Sequence, residues 1–201
     1  PKELRSMARK KEFDEIEVLD KAVQLFWNKG YNATSANDLV DALGLSRSSI
    51  YSTYDNKRTL FIRSLDRYRK QVVHSMLEMV KQSNDFPKTI SEVFKMVIEQ
   101  DIGSKIPKGC LIVNSAVEVA AEDREIAEIV NENSRDIEKV FEAAIKKGQD
   151  SGQVSSSHSP KVLARFLNNN ISGLRVAVKA SNDLSELDDV VQICLSVLMD
   201  K

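Results

Sequence analysis

The stretch GYNATSANDLVDALGLSRSSIYSTYDNK, residues 30–57, decides the fold. Leu39, Val40 and Leu43 recur at helical steps, Thr34 or Ser35 stands where an N-cap belongs, and Asp38 occupies the acidic position of a capping box. A short helix is therefore predicted over about Ala36 to Leu43. Gly44 and Leu45 make a turn, and Ser46 caps a second short helix over about Arg47 to Thr53. Leu39, Val40, Leu43, Leu45 and Ile50 supply the apolar seam between the two. Two short helices joined by a glycine-containing turn make a helix-turn-helix. The second presents Arg47, Ser48, Ser49, Ser52 and Thr53 outward. Small hydroxyls let a helix lie close in the major groove of double-stranded DNA, and a guanidinium can reach a guanine edge. The pattern alone also suits a plain helical hairpin with a solvated polar face.

Upstream, Ile16, Leu19, Val23, Phe26 and Trp27 form one apolar stripe on a helix from about Asp14 to Lys29, capped by Asp14 and ended by Gly30. Downstream, a long helix starts near Lys57, keeps its period from Leu60 to Val80 and runs up to Ser83-Asn84-Asp85, a span of roughly 40 Å. Further helices are predicted at about 87–102, 109–121, 123–148, 160–180 and 185–199. Between the last three, the polar, serine-rich stretch Gly148 to Ser159 reads as a mobile loop. Glycine (7) and proline (4) fall mostly between periodic segments, and no window alternates as a strand would. The fold class is all-α. Residues 1–56 read as a helix-turn-helix domain, joined by the long helix to a helical-bundle domain over 57–201.

The net charge of −1 hides an asymmetry. Residues 1–70 hold 14 Lys+Arg against 10 Asp+Glu, and the remainder 15 against 20. A basic head on an acidic body suits DNA binding by the head. No apolar run approaches the roughly 18 residues of a membrane span, and Pro1 to Glu12 lacks the apolar stretch of a signal peptide. Cys110 and Cys194 read as buried free thiols in a reducing cytoplasm. With His74 and His158 they match no zinc-site spacing. No nucleophile stands beside a base in a recognisable motif, so an enzyme built on Cys110 or His74 has little support, and no cofactor is predicted.

From Phe26 to Phe61 the chain reads aromatic-x-x-x-Gly-Tyr-x-x-Thr-Ser, then Asp-Leu-Val-x-Ala-Leu-Gly-Leu-Ser, Ser-Ile-Tyr, an aromatic, Asp-Asn-Lys and Leu-Phe. This resembles the TetR family of bacterial regulators. The segments KGCLIVN (108–114) and SGLRV (172–176) look like parts of one subgroup of it. The resemblance implies nine helices, a homodimer built from the last two, and a ligand cavity in the body. It also implies that Thr34 and Ser35 hold a phosphate, that Arg47, Ser48 and Ser52 face bases, and that Lys57 meets a phosphate. Tyr51 and Tyr54 would pack the domain or give hydroxyls to the DNA backbone. Ser46 and Ser49 complete the candidate DNA-binding set. Thr53 and Tyr54 depart from the family's usual histidine and phenylalanine, which leaves the part played by Thr53 open. The function implied is a repressor released from a palindromic operator by a small-molecule effector. The alternative is a regulator with no such ligand, controlled by expression, a protein partner or cysteine redox state. The basic run Arg5 to Lys11 reads either as an arm on the DNA or as a frayed terminus.

Two sets of candidates follow for the body. Cys110, Asn114 and Glu118 stand at steps of four on an otherwise apolar helix. They either line an effector cavity or satisfy backbone or arginine groups in the core. Met76, Phe94 and Phe141, with Met79 and Met96, would form its apolar wall. Phe166, Leu167, Leu174, Val178, Val191, Cys194 and Leu198 make more apolar surface than one bundle edge needs. They either form the dimer interface or pack internally.

Overall fold

The computed structural model describes residues 13–99, 104, 107–180 and 184–199. Among them the elements are α1 (Glu15–Lys29), α2 (Ala36–Leu43), α3 (Arg47–Tyr54), α4 (Lys57–Lys81), α5 (Phe86–Glu99), α6 (Leu111–Glu118), α7 (Arg124–Asp150), α8 (Pro160–Ala180) and α9 (Leu184–Met199). The run Arg5–Lys11 and the tail of the helix predicted to reach 102 lie outside the described residues. No helix among the described residues is long and apolar enough to cross a membrane.

Side-chain caps explain most of the helix starts. Asp14 accepts the N–H groups of Ile16 and Glu17, Ser46 that of Ser49, Asn56 that of Thr59, and Asp123 those of Glu125 and Ile126. At α2 the box is complete: Ser35 accepts from Asp38 N–H while the Asp38 carboxylate accepts from Ser35 N–H at 2.7 Å. Gly44 ends α2 in the left-handed conformation (φ 67°), which allows the sharp turn into α3.

The apolar side chains gather into two clusters, and they do not divide at residue 56. The first joins α1–α3 and the start of α4 with Leu111 and Ile112 of α6 and Ile126 and Ile129 of α7. Phe26 meets Phe61 edge-on at 4.9 Å inside it. The second holds α5, the rest of α7, α8 and α9, with Phe94, Phe141, Ile145 and Leu167 at its centre. At 1.5 Å per residue α4 spans about 37 Å, and Val72 on it touches both clusters.

Four sequence expectations need correction. On α1 the buried face is Val18, Ala22, Val23 and Phe26, while Ile16 is exposed, because packing on α4 turns the stripe toward the i, i+4 row. The helix predicted over 109–121 is shorter: Gly109 has φ +64°, and the backbone leaves the helix at Val119. The stretch Gly148–Ser159 is pinned rather than loose. Val154 and Ser155 are buried, Ser155 N–H donates to the Leu198 carbonyl at 2.8 Å, and Gln149 donates to the carbonyls of Ser155 and His158. Finally, Leu167, Leu174, Val178, Val191, Cys194 and Leu198 are buried inside the single subunit, with Phe166 packed partly against them. They are therefore core rather than contact surface. The apolar residues of α8 and α9 that face outward are Val162, Val176, Val190, Ile193 and Met199. Cys110 and Cys194 are both free and buried, and burial pushes the Cys194 thiol up.

Candidate nucleic-acid interface

α3 is held by its inner side and open on its outer one. Ile50 and Tyr54, four residues apart, enter the first cluster. Ser46, Arg47, Ser48 and Ser52 are exposed, and Ser49 and Tyr51 are half-buried. The Arg47 guanidinium lies 5.8 Å from the Tyr51 ring centroid, a stacking that aims it outward. Ser46 shares its hydroxyl with Ser48 (3.0 Å) and Ser49 (2.8 Å), so the first turn is a small polar platform.

Three residues of the candidate DNA-binding set are turned inward, Tyr54 in the packing part that is one of its two alternatives. Tyr54 is 1% exposed, so it packs the head and cannot reach a phosphate. Its hydroxyl finds no hydrogen-bond partner among the described residues, and burial pushes its pKa up to about 12. A buried, unsatisfied hydroxyl is destabilising, so Tyr54→Phe is expected to raise stability by about 1 kcal/mol. A melting temperature that falls would show that the hydroxyl has a partner. Thr34 is buried and donates its hydroxyl to the Gly30 carbonyl. Lys57 donates to the carbonyls of Tyr31 and Thr34, each at 3.0 Å, with its ammonium 4.4 Å from the Tyr31 ring centroid. It ties down the loop between α1 and α2. Ser35 is exposed but engaged in its capping box, and Lys29 meets Asp38 there at 2.6 Å. That lysine and the Ser35 hydrogen bonds hold the Asp38 carboxyl well below the usual range.

The basic excess of the head is largely spent on internal pairing. Arg58 forks onto Asp123 (2.6 and 2.9 Å) and reaches Glu125 (2.8 Å). Arg63 meets Glu15, Arg67 meets Asp20, and Arg69 meets Asp66 and Asp136. Apart from Arg69–Asp66, which lies within α4, these pairs staple α4 to α1 and α7. Each is partly solvent-exposed, so their joint value is orientation more than stability. The Arg58 hydrogen bonds hold the Asp123 carboxyl below its ordinary value.

The body touches the helix-turn-helix through α6. Glu118 accepts the backbone N–H of Asn32 at 2.7 Å and of Tyr31 at 3.1 Å, directly ahead of α2. Gly30 makes room for it: a Cβ there would stand 3.0 Å from Glu118 Oε2, and its φ of +84° already disfavours other residues. Asn114, one turn earlier, donates to the Lys108 carbonyl (2.8 Å) and accepts from Lys179 (3.2 Å). Trp27 Nε1 donates to the Gly109 carbonyl at 3.1 Å. So Asn114 and Glu118 bind protein groups in this structure and line an open depression beside Trp27, while Cys110 accepts from the Tyr68 hydroxyl at 3.7 Å. Phe94 and Phe141 are fully buried in the second cluster. Met76 borders a cleft with Met96. The Arg58 fork and the Glu118 contact were not found by sequence reasoning, because both join segments some 65 to 87 residues apart.

Comparison with known proteins agrees with this geometry. Residues 18–63 match the family described as bacterial regulatory proteins, tetR family, and residues 88–194 match the tetracyclin repressor-like C-terminal domain. The uncharacterized HTH-type transcriptional regulator YezE of Bacillus subtilis is 32% identical over 96% of this chain and all of its own length. The HTH-type transcriptional repressor ComR of Escherichia coli is 28% identical over 91% of this chain and 88% of its own. Among solved structures, a cysteine mutant of the TetR family regulator CifR, complexed with a 26bp operator duplex, superposes with a TM-score of 0.80. It is 22% identical, and the match covers 94% of this chain and 99% of that one. With the C-terminal match alone spanning more than half its length, and YezE aligned along nearly all of it, this chain belongs to the tetR family of bacterial regulatory proteins.

Proposed function

We propose that two copies of this chain bind a palindromic operator through α3, repress transcription there, and leave when a small-molecule effector occupies the body. Support for the DNA-binding part is the open face of α3, where Arg47, Ser48 and Ser52 stand clear of the protein. CifR, which shares the fold, was solved on operator DNA, and ComR is named a repressor. The gating part rests on one observation. The Glu118 carboxylate on α6 holds the backbone of Tyr31 and Asn32. An effector that shifts α6 therefore changes where the head sits, and with it the spacing of two recognition helices in a symmetric pair. By linkage, the effector must weaken DNA binding by the same factor by which DNA weakens effector binding.

Operator affinity measured with and without a broad panel of small molecules tests this reading. A fall with at least one compound is expected, and no response to any would leave control by expression or a protein partner. Control by cysteine redox state has less support, since both thiols are buried and thiol chemistry needs access. Within the interface, Arg47→Ala is expected to cost about 1–3 kcal/mol and to relax preference at one base position. Intact sequence preference in that variant would remove Arg47 from base readout.

A further inference from the structure

Arg175 on α8 is the only charged residue among the buried side chains of the described residues, at 7% exposure. Among the described residues it has neither an ion pair nor a hydrogen bond for its guanidinium. Its place in the helix makes this notable: Ile171, Leu174 and Val178 on the same side all enter the second apolar cluster. An arginine keeps its charge in a protein, and this one, with no protein group to pair with, is left only the little solvent that its 7% exposure admits. The guanidinium lines a cleft of about 200 Å³ between α1, α4, α5 and α8. Val23, Tyr68 and Met76 form its floor, and Trp27 and Met96 stand at its walls. Gln24, Gln71 and Ser75 are exposed at its rim. None of the side chains lining it is acidic. The charge is felt inside: burial and the Cys110 thiol push the Tyr68 phenol above its ordinary value, and Arg175 pulls against them.

We infer that this cleft binds a compact organic carboxylate, with Arg175 as its anchor. A guanidinium matches a carboxylate with two parallel hydrogen bonds, and the pair supplies the counter-charge that the free protein lacks. The edges of Trp27 and Tyr68, packed at 5.0 Å, and the two thioethers suit an aromatic or short aliphatic body. The volume sets the size, being below the roughly 300 Å³ at which sites for drug-sized ligands begin. A ligand here touches Trp27 and Val23 of the head and Arg175 of the body at once. The proposal thus rests on the ligand-gated reading and names the chemical class of the effector.

Calorimetric titration of the full chain with sodium benzoate, sodium hexanoate, benzamide and sodium phosphate tests it, repeated on Arg175→Met. Binding of benzoate or hexanoate is expected, with benzamide and phosphate weaker by about tenfold or more. Arg175→Met should lose the carboxylate response and melt no lower than the parent, since it replaces a largely buried charge that has no protein partner with an apolar side chain of similar length. Lost binding in that variant is then not unfolding. The inference is overturned if neither carboxylate binds, if Arg175→Met binds them equally, or if phosphate competes as well as benzoate. Operator affinity measured in parallel separates the two readings. Carboxylate binding that leaves operator affinity unchanged supports the site and removes the gating. Operator release by a neutral compound, with no carboxylate bound, removes the site and leaves the gating.

Discussion

Glu118→Ala is expected to loosen the head and to flatten the effector response of operator binding. The carboxylate ties α6 to the loop ahead of α2, accepting two backbone N–H groups at 2.7 and 3.1 Å. Hydrogen bonds to an ionised acceptor contribute about 1.5–3 kcal/mol each when sheltered. Asn32 is exposed and Tyr31 half-buried, so water recovers part of the loss. A destabilisation of about 2 kcal/mol follows, or about 4–8 °C in melting temperature for a chain of this size. Glu118→Gln should be nearly as damaging. Its amide keeps one oxygen and turns an NH2 group toward one of the two donors. Amide exchange at Tyr31 and Asn32 should speed up in both variants, and operator affinities with and without effector should converge. Unchanged exchange at those two amides would show that the contact does not hold the loop.

Ile193→Asp is expected to break the dimer and to lower operator affinity about 10²–10⁴-fold, while leaving the subunit folded. Ile193 is 63% exposed on α9, and Val190 beside it and Val162 and Val176 on α8 also face outward. Outward-facing apolar side chains on these two helices suit a self-complementary interface between two copies. A carboxylate placed there would be carried into the dehydrated contact of the proposed dimer, whereas in the monomer it meets water. The loss in DNA binding comes from valency: once one head is bound, the second binds as an intramolecular event. Sedimentation should give a monomer, and affinity for an isolated half-site should stay as in the parent. An unchanged sedimentation coefficient would place the dimer contact elsewhere.

The head was more legible in the sequence than the body, for a local reason. Ser35, Asp38 and Gly44 bracket α2, and Ser46 starts α3, through contacts reaching four residues at most. Such signals lie in the string itself. The direction in which a side chain points depends on distant partners. Lys57 and Tyr54 look like DNA ligands until the loop of Tyr31 and the apolar cluster claim them. Ile16 fits the predicted stripe of α1, but α4 packs one position around. In the body, Asn114 and Glu118 stand out in the sequence as polar residues on an apolar helix. That they hold Lys179 and the Asn32 amide required the fold. Arg175 carries a readable signal, a charge at the i+4 position from Ile171 on an apolar stripe.

The first apolar cluster has a bearing on engineering. Regulators of this kind invite the exchange of sensing and reading halves between relatives, with the cut made after α3. Here such a cut severs Leu60, Phe61 and Leu65 from Phe26 and Ile50, and it strands Leu111, Ile112 and Ile126 against a foreign neighbour. A chimaera would need to bring α6 and the first turns of α7 along with the reading half, so that the transplanted unit is discontinuous in the gene although continuous in space.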